Sequence, residues 1–386
     1  MRILFYADGR SPITLNWLRY WIHRGDEVHL VSSFPCEELP GLASQQLVPV
    51  AFSSTKTSDH PANPKKGLLW GAGTLRLRLF VRQWLGPLTI LAAGRALKLA
   101  VERIQPDLVH AMRIPYEGMT AAAAALKAPL LISVWGNDFT LHARSSPCMA
   151  YWTRRAMRAT RALHTDCQRD QRIAQKWGFK RGATLVIPGN GGINPAIFHP
   201  PSEAVMQPVV INPRGFRSYV RNDVFFRSIP LVLKQIPNAR FLCSAMAGQA
   251  EAETCLNRLG IAHAVQLLPS RPHDQMGDVF RSAAVLVSPS THDGTPNSVL
   301  EGMACGCFPV VGRIESLREW ITPGQNGLLV DPSDPNSLAQ AIITGLTDPD
   351  LRTHAAKENA VIINTRADYA SCMAQAAAFY QELLSE

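Results

Sequence analysis

The chain has 386 residues, of which 46% are hydrophobic and 18% charged, a composition typical of a globular protein with two domains. It has no run of about 18 uncharged apolar residues, which argues against a transmembrane helix, and Asp8 comes too early for a secretory signal peptide. The net charge of +9 is unevenly spread. Residues 1–200 hold 25 Lys and Arg against 12 Asp and Glu, whereas residues 201–386 hold 14 against 18. The basic first half therefore favours an anionic partner.

Apolar runs alternate with helical stretches through the first half of the chain. The predicted strands are 3–6, 27–31, 108–110, 130–134, 162–164 and 185–187. The predicted helices are 14–23, 88–103, 116–126 and 148–160. This alternation predicts a doubly wound parallel sheet, which binds ligands at the carboxyl ends of its strands.

A polar, proline-rich stretch at 199–208 predicts a linker between two domains. A second series of strands follows it, at 209–212, 241–244, 265–268 and 285–287. A helical tail is expected at 367–384. The chain is therefore predicted to contain two α/β domains of the same class.

The eight cysteines show neither a disulfide framework nor a CxxC metal motif, which favours reduced thiols in a cytosolic protein. The acidic pair Asp348 and Asp350 is spaced like a metal-binding DxD motif. It lies between two predicted helices, where capping of the second helix is the simpler interpretation. We therefore expect no metal and no cofactor.

The most informative segment of the sequence is 285–311. A buried strand at 285–287 ends in a loop rich in Gly and Pro, a helix begins at about Asn297, and a second apolar strand follows at 308–311. The free N–H groups at such a helix N-terminus attract phosphate. Asp293 precedes the helix and Glu301 lies about one turn inside it, so both carboxylates can face one ligand. A phosphate cradle beside two carboxylates suits a nucleotide-sugar.

Asp293, Gly294, Pro296 and Glu301 resemble the donor-binding motif of retaining glycosyltransferases of family 4, with Asp in place of the usual first Glu. That family has the GT-B fold. The resemblance implies two Rossmann-like, doubly wound parallel-sheet domains that face each other across a cleft. An acceptor-binding domain is expected at 1–200 and a nucleotide-sugar-binding domain at 201–365. A C-terminal helix at 366–386 is expected to pack back on the first domain.

The resemblance also implies roles for single residues at the donor. Glu301 would accept hydrogen bonds from the ribose hydroxyls, and Asp293 would contact hydroxyls of the donor sugar. Arg214 matches an arginine that reaches the pyrophosphate, and Arg221, with Arg217 as the alternative, matches a second cation that stabilises the leaving diphosphate. The remaining expected donor-binding residues are Gly9, Leu268, Gly294, Thr295, Pro296, Asn297 and Ser298. The expected catalytic residues are Asp138, Arg214, Arg221 and Asp293.

In the first domain, the strand at 130–134 ends in the sequence Trp-Gly-Asn-Asp, where the family usually has His-Gly-x-Asp. Trp135 thus replaces a histidine that lies near the transferred sugar in relatives. Asp138 would either orient a sugar or cap a helix that begins near Thr140. The expected acceptor-side residues are Ser11, His110 and Trp135, although His110, alone at a strand end, also fits a structural role.

Two parts of the first domain are strongly basic. Segment 68–85 combines apolar and aromatic residues, among them Trp70, with Arg76, Arg78 and Arg82, and a second group of arginines recurs on roughly one helix face at 154–161. Contact with an anionic membrane surface that recruits a lipid-linked acceptor is one interpretation. An ordinary solvated surface is another, and binding of RNA is the less favoured third.

The sequence thus predicts a retaining, metal-independent glycosyltransferase of polysaccharide biosynthesis. It would move a sugar from a UDP- or GDP-linked donor to a glycan or lipid-linked acceptor, in the cytoplasm or at the inner face of the cell membrane. The alternatives are a membrane- or nucleic-acid-binding protein with a degenerate transferase fold, and a transferase that acts on an RNA or small-molecule acceptor.

Overall fold

The computed structural model describes residues 1–53, 80–180, 182–203, 205 and 207–385. They form two compact units, the first made of Met1–Asn190 with the chain end from Gln375, the second of Gly191–Ala374. The structure thus changes units at Asn190, ahead of the linker expected at 199–208, and again inside the last helix. The domain limits 1–200, 201–365 and 366–386 remain a proposal from the sequence.

The first unit is built on a seven-stranded parallel sheet with the strand order β3-β2-β1-β4-β5-β6-β7. Its strands are β1 (Arg2–Ala7), β2 (Glu27–Ser32), β3 (Ser44–Leu47), β4 (Leu108–Ala111), β5 (Leu130–Val134), β6 (Ala162–Thr165) and β7 (Ala183–Val186). Its helices include α1 (Pro12–His23), α2 (Ile90–Ile104), α3 (Met119–Ala124), α4 (Pro147–Ala159) and α5 (Gln168–Trp177). Strands such as β1 and β5 read as continuous apolar runs because both faces of a parallel sheet are covered.

Several elements differ from the prediction. Strand β3, with the sequence SQQL, and helix α5, which is mostly polar, were not predicted. The helix expected at 116–126 is instead a short turn, Ile114–Gly118, followed by the brief helix α3. In place of a helix from Thr140 there is a single wide turn at Asp138–His142.

The second unit is built on a six-stranded parallel sheet with the order β10-β9-β8-β11-β12-β13. Its strands are β8 (Val209–Asn212), β9 (Arg240–Cys243), β10 (Val265–Leu267), β11 (Val285–Ser288), β12 (Phe308–Gly312) and β13 (Leu328–Val330). Its helices include α6 (Asn222–Gln235), α7 (Ala250–Leu259), α8 (Met276–Arg281), α9 (Asn297–Ala304), α10 (Pro335–Thr347) and α11 (Pro349–Arg366). Helix α9 begins at Asn297, as predicted, and Asp348 caps α11 by accepting a hydrogen bond from the Leu351 N–H at 2.8 Å.

The last helix, α12 (Tyr369–Ser385), begins in the second unit and ends in the first. Its Tyr380 is fully buried in the first unit, where the ring stacks on Trp21 with centroids 4.3 Å apart. The Tyr380 hydroxyl lies 2.5 Å from Nδ1 of His110, itself fully buried. Burial, and then the neighbouring His164, lowers the pKa of His110 well below its usual range, so this imidazole stays neutral. The chain end from Gln375 therefore belongs to the first unit.

Within the described ranges, every helix is too short or too polar to cross a lipid bilayer.

The contact between Tyr380 and His110 gives a test of how α12 stabilises the first unit. Tyr380→Phe should lower the free energy of unfolding by about 1–3 kcal/mol, because it leaves a buried imidazole nitrogen without its partner. Tyr151→Phe is the control, since Tyr151 is 56% exposed, and it should change stability by less than about 0.5 kcal/mol. Urea denaturation measures both. Equal destabilisation by the two substitutions would contradict the account.

Candidate functional site

The candidate site of the second unit lies where its sheet changes strand order. Strands β8 and β11 are neighbours, and the sheet grows outward from them in opposite directions. The loops that leave their carboxyl ends therefore diverge, which is where doubly wound sheets bind ligands. Arg214 follows β8, and Asp293 and Gly294 follow β11.

Arg214 and Asp293, 79 residues apart in sequence, form an ion pair at this point. Nη1 of Arg214 donates to Oδ2 of Asp293, and the two side chains are only 15% and 14% exposed. Burial lowers the pKa of Arg214, but the charges of Asp293 and Tyr219 and the hydrogen bonds to both residues together leave that pKa raised. The guanidinium also lies over the ring of Tyr219, 5.6 Å from its centroid. A fixed cation and a fixed carboxylate are thus presented side by side.

Glu301 is buried one turn inside α9 and has a partner that the sequence did not reveal. Nε2 of His273 lies 2.8 Å from Oε1 of Glu301, while the His273 side chain remains 48% exposed. Hydrogen bonding to Glu301 raises the pKa of His273 above its usual value, and the charges of Glu301 and Asp274 add to this effect. The two residues are 28 positions apart, and His273 lies in a short polar turn with no pattern of its own.

The N-terminus of α9 is held in place by side chains from outside the motif. Nε1 of Trp320 donates to Oγ1 of Thr295 at 2.9 Å, and Oγ of Ser316 donates to the carbonyl of Asp293 at 2.8 Å. Pro296 is the N-cap residue and offers no side-chain cap, so the first N–H groups of the helix, those of Asn297 and Ser298, have no acceptor in the preceding turn. The arrangement can bind an anion through backbone dipoles.

Three further residues that were expected to bind the donor, namely Arg221, Arg217 and Leu268, make contacts outside the Arg214–Asp293 ion pair. Arg221 has a left-handed backbone with φ of 57° and pairs with Asp223 through two hydrogen bonds of 2.9 and 3.0 Å. Arg217 is exposed and donates to the Tyr219 hydroxyl at 3.0 Å. Leu268 is buried, and its N–H and carbonyl are both used in backbone hydrogen bonds. Arg217 is linked to the Arg214–Asp293 pair through the Tyr219 hydroxyl, to which Arg214 also donates at 3.5 Å.

In the first unit, Asp138 is fully buried and ties two loops together. It accepts hydrogen bonds from Nε of Arg113 at 3.0 Å and from the N–H groups of Ile114 and Trp135, both at 3.2 Å. Of the two interpretations of this residue, the helix cap is therefore wrong, because the carboxylate bridges the loops after β4 and β5 instead. Its role toward a sugar stays a prediction.

The other first-unit candidates differ in their access to a ligand. His110 is buried between Ser133 and Tyr380, which is the structural role that the sequence had left open. Ser11 is the N-cap of α1 and is partly exposed. The N–H of Gly9 donates to Ser32 at 3.1 Å, and a Cβ at this position would lie 2.4 Å from Sγ of Cys36. Close packing therefore explains the glycine.

Of the basic segment at 68–85, the part up to residue 79, with Trp70, Arg76 and Arg78, lies outside the described residues. The arginines of 154–161 are exposed, three of them on α4 and Arg161 just after it, and Arg154 lies over the ring of Trp177. Among the described side chains, one group of three offers metal-ligand atoms within 4.8 Å of one another, namely Asp166, Cys167 and Asp170. It is buried, and Asp170 is paired with Arg169 at 2.8 Å.

Two family models match the chain. The "Glycosyl transferase 4-like domain" matches residues 9–190, and "Glycosyl transferases group 1" matches residues 208–348, which include the whole of the site around α9. The chain belongs to the group 1 glycosyltransferases. This confirms the family that the residues from Asp293 to Glu301 predicted.

Curated relatives in this family match parts of the chain. A D-inositol 3-phosphate glycosyltransferase of Thermobispora bispora is 28% identical over 214 residues, 50% of this chain and 50% of the relative. A protein of the same name from Corynebacterium urealyticum is 33% identical over 122 residues, 30% of this chain and 29% of the relative. The chain thus spans half or less of the length of these relatives.

Solved structures resemble the chain over its whole length. Sucrose-phosphate synthase of Thermosynechococcus elongatus has a TM-score of 0.75 at 16% identity and covers 100% of both chains. HepE of Anabaena, solved in complex with UDP-glucose, has a TM-score of 0.73 at 16% identity and covers 99% of this chain and 100% of its own. The fold of this group 1 family member is GT-B, as predicted.

The His273–Glu301 contact makes part of the stability depend on pH. Because the pKa of His273 is raised in the folded state, the contact contributes fully below the usual pKa and is lost as pH rises through the raised one. His273→Gln should therefore destabilise the protein more at about pH 6 than at about pH 8.5, by a few tenths of a kcal/mol, since the side chain is half exposed.

Urea unfolding of both proteins at the two pH values measures this difference. The control is His263→Gln, which removes an exposed histidine of the same unit. A cost of His273→Gln that is the same at both pH values would show that the imidazolium form makes no special contact with Glu301.

Proposed function

We propose that this chain is a retaining, metal-independent glycosyltransferase that takes a sugar from a UDP- or GDP-linked donor. The observation that carries the proposal is the Arg214–Asp293 ion pair beside the open N-terminus of α9, at the switch point of the second sheet. A nucleotide-sugar has an anionic diphosphate directly next to a sugar with many hydroxyls. A cation, backbone N–H groups and a carboxylate held side by side match that sequence of groups.

In this proposal the diphosphate binds to the N–H groups of Asn297 and Ser298 and to the guanidinium of Arg214. As the glycosidic bond breaks, negative charge grows on the phosphate oxygens, and fixed donors aimed at that charge lower the barrier. Asp293 holds the guanidinium in place and contacts hydroxyls of the sugar. With these cationic groups in place, a metal ion is not needed to stabilise the leaving diphosphate.

In this proposal Glu301 binds the ribose of the nucleotide. Its carboxylate is buried and oriented by His273, with the second oxygen left to accept from a ribose hydroxyl. A charged acceptor of this kind is worth about 1.5–3 kcal/mol for each hydrogen bond. Orientation by a neighbour matters because a buried carboxylate that turns away would lose this bond.

The contacts of the two carboxylates support retention of configuration at the transferred sugar. A glycosidase-type mechanism needs one carboxyl group as nucleophile or base and another as acid. Here Asp293 is paired with Arg214, and Glu301 with His273. The proposal therefore assigns deprotonation of the acceptor to the leaving phosphate, on the same face of the sugar.

For the acceptor we propose a glycan or a lipid-linked precursor, with Ser11, Trp135 and Asp138 on its side. Two relatives are named for D-inositol 3-phosphate, a phosphorylated polyol.

A surface of the first unit mixes exposed apolar and cationic side chains. The apolar ones, 46–72% exposed, are Phe80, Trp84, Leu88, Leu91 and Leu99, and the cationic ones are Arg82, Arg95 and Lys98. That mixture supports contact with an anionic membrane surface.

Two measurements test the proposed function. Thermal shifts with UDP-, GDP- and ADP-sugars identify the donor, since a ligand at 100 times its dissociation constant stabilises by about 2.7 kcal/mol. Slow release of nucleoside diphosphate from that donor then tests transfer chemistry. If no nucleotide-sugar shifts the transition, the chain is a binding protein with a degenerate transferase fold.

Glu301→Gln should weaken the cognate nucleoside diphosphate by about 10- to 100-fold, because an amide replaces the charged acceptor of the ribose hydroxyls. Calorimetry measures the affinity. Glu251→Gln on α7, an exposed position of the same unit, is the matched control and should bind normally. Unchanged affinity in folded Glu301→Gln would remove this residue from the nucleotide site.

Conservative substitutions of Arg214 and Asp293 should have different effects on activity and binding. Arg214→Lys keeps the charge beside Asp293 but loses the forked geometry, so turnover should fall by about 10²-fold or more. Asp293→Asn should weaken the nucleotide-sugar more than the free nucleoside diphosphate, because Asp293 contacts the sugar. Steady-state kinetics and calorimetry read the two effects. Equal loss of free diphosphate binding in both variants would contradict this division of roles.

A further inference from the structure

Among the residues that the structure describes, Arg10, Arg82 and Arg113 of the first unit lie near the carboxyl edge of its sheet. Its strand order changes direction between β1 and β4, just as the order in the second unit does between β8 and β11. Arg10 lies in the loop after β1, and Arg113 in the loop after β4. This edge is therefore the place where a doubly wound sheet binds a ligand.

The third arginine, Arg82, comes from a distant part of the chain and joins Arg10 at one aromatic ring. The guanidinium carbon of Arg10 lies 3.9 Å from the centroid of Phe34, and that of Arg82 lies 5.3 Å from the same centroid. Arg82 also lies 5.2 Å from the centroid of Tyr116, in the loop after β4. Cation–π contacts of this kind hold guanidinium groups in place without neutralising them.

Arg113 is held by the loop after β5. Its Nε donates to buried Asp138, its Nη2 donates to Oδ1 of Asn137 at 3.2 Å, and its guanidinium lies 5.6 Å from the ring centroid of Trp135. About a third of the Arg113 side chain remains exposed. Trp135 stands where the family usually has a histidine, so the Arg113–Trp135 contact is a local departure from the family's pattern.

The positive charge of this group is only partly balanced. Arg10 is paired with Asp8, and Arg113 with Asp138. Arg82 makes no ion pair with any carboxylate that the structure describes. Burial raises the pKa of nearby Glu117, whose carboxyl group accepts a hydrogen bond from Ser33, so its negative charge is disfavoured.

The pKa of His142 is affected by the same positive charges. Burial, and then the charges of Arg113 and Arg82, lower the pKa of this imidazole to about 3, so both guanidinium groups act on the same side chain. The histidine itself stays neutral at ordinary pH and adds no charge.

We propose that Arg10, Arg82 and Arg113 form a binding site for a phosphate group on the acceptor, so that this enzyme glycosylates a phosphorylated sugar, polyol or lipid headgroup. Planar guanidinium groups bind phosphate oxygens in pairs, and the faces of Phe34, Tyr116 and Trp135 offer apolar contact to the body of the same molecule. That the bound molecule is the acceptor rests on the proposed function. The existence of a phosphate site does not, because the donor diphosphate has its own cation, Arg214, in the second unit.

The test uses the full chain, with glucose 1-phosphate and glucose 6-phosphate as soluble probes and glucose as the neutral reference. Arg82→Gln is the principal variant, since it breaks no described ion pair. Wild type should bind at least one sugar phosphate about tenfold or more tightly than glucose, and Arg82→Gln should lose about tenfold of that affinity. Arg155→Gln, an exposed arginine of α4, should bind as wild type does. Calorimetry measures the affinities.

A lipid arm distinguishes the two sources of phosphate. Co-sedimentation with phosphatidylcholine vesicles, with and without phosphatidylglycerol, measures binding to an anionic phospholipid headgroup, whose phosphate is not balanced by choline, in wild type, Arg82→Gln and Arg155→Gln. Loss in Arg82→Gln alone, with either the soluble probe or the vesicles, supports the proposal and names the source. Absence of binding to both kinds of probe up to about 10 mM, or equal loss in Arg155→Gln, overturns it.

Two further readouts separate this proposal from the proposed function. Arg82→Gln should keep the wild-type affinity for the cognate nucleoside diphosphate. Competition between the sugar phosphate and the nucleoside diphosphate for one site would overturn a separate phosphate site. Failure of wild type to bind any nucleotide-sugar would instead contradict the proposed function, whatever the sugar phosphates do.

Discussion

The candidate chemistry of this chain depends on a constraint of parallel sheets. Where the strand order reverses, two adjacent loops leave the sheet in opposite directions, and no crossover helix covers the point between them. The second unit reverses between β8 and β11, and the first between β1 and β4. In both units an arginine follows one of these strands and a carboxylate or a second arginine follows the other. The fold therefore creates two candidate ligand sites of the same kind from two unrelated sets of loops.

The Arg214–Asp293 ion pair shows how such a candidate site can be preorganised for a ligand. Two charges that are about 15% exposed are costly to separate, because removal of one partner leaves the other desolvated and unpaired. A ligand that brings both a phosphate and hydroxyl groups offers each partner a new contact without leaving either charge alone. The side chains of Trp320 and Ser316 fix the loop that carries Asp293, so little ordering is required when the ligand binds.

The sequence predicted most of the sheet framework because buried parallel strands are continuous apolar runs, as in β1, β5 and β8. It did not predict β3, since an edge strand with the sequence SQQL carries no apolar signal. Helix α5 was missed for a related reason, as its buried face includes Arg169 and Asp170, which a hydrophobicity pattern counts as exposed.

The residues of the candidate site also differ in whether the sequence pattern could predict them. Asp293 and Glu301 lie in one local motif whose spacing is visible in the sequence, and Arg214 follows a clear strand. His273 reaches Glu301 from 28 residues away and has no pattern of its own. Arg10, Arg82 and Arg113 come from three separate segments. Only the folded chain shows that Arg10 and Arg82 meet at Phe34 and that the charges of Arg82 and Arg113 both act on His142.

The central claim is that the switch point of the second unit binds a diphosphate. The most direct measurement compares the cognate nucleoside diphosphate with its nucleoside by calorimetry at one salt concentration. The account predicts that the diphosphate binds about 100-fold or more tightly, since the α9 N-terminus and Arg214 contribute only when phosphate is present. Equal affinity for the nucleoside and its diphosphate would contradict it.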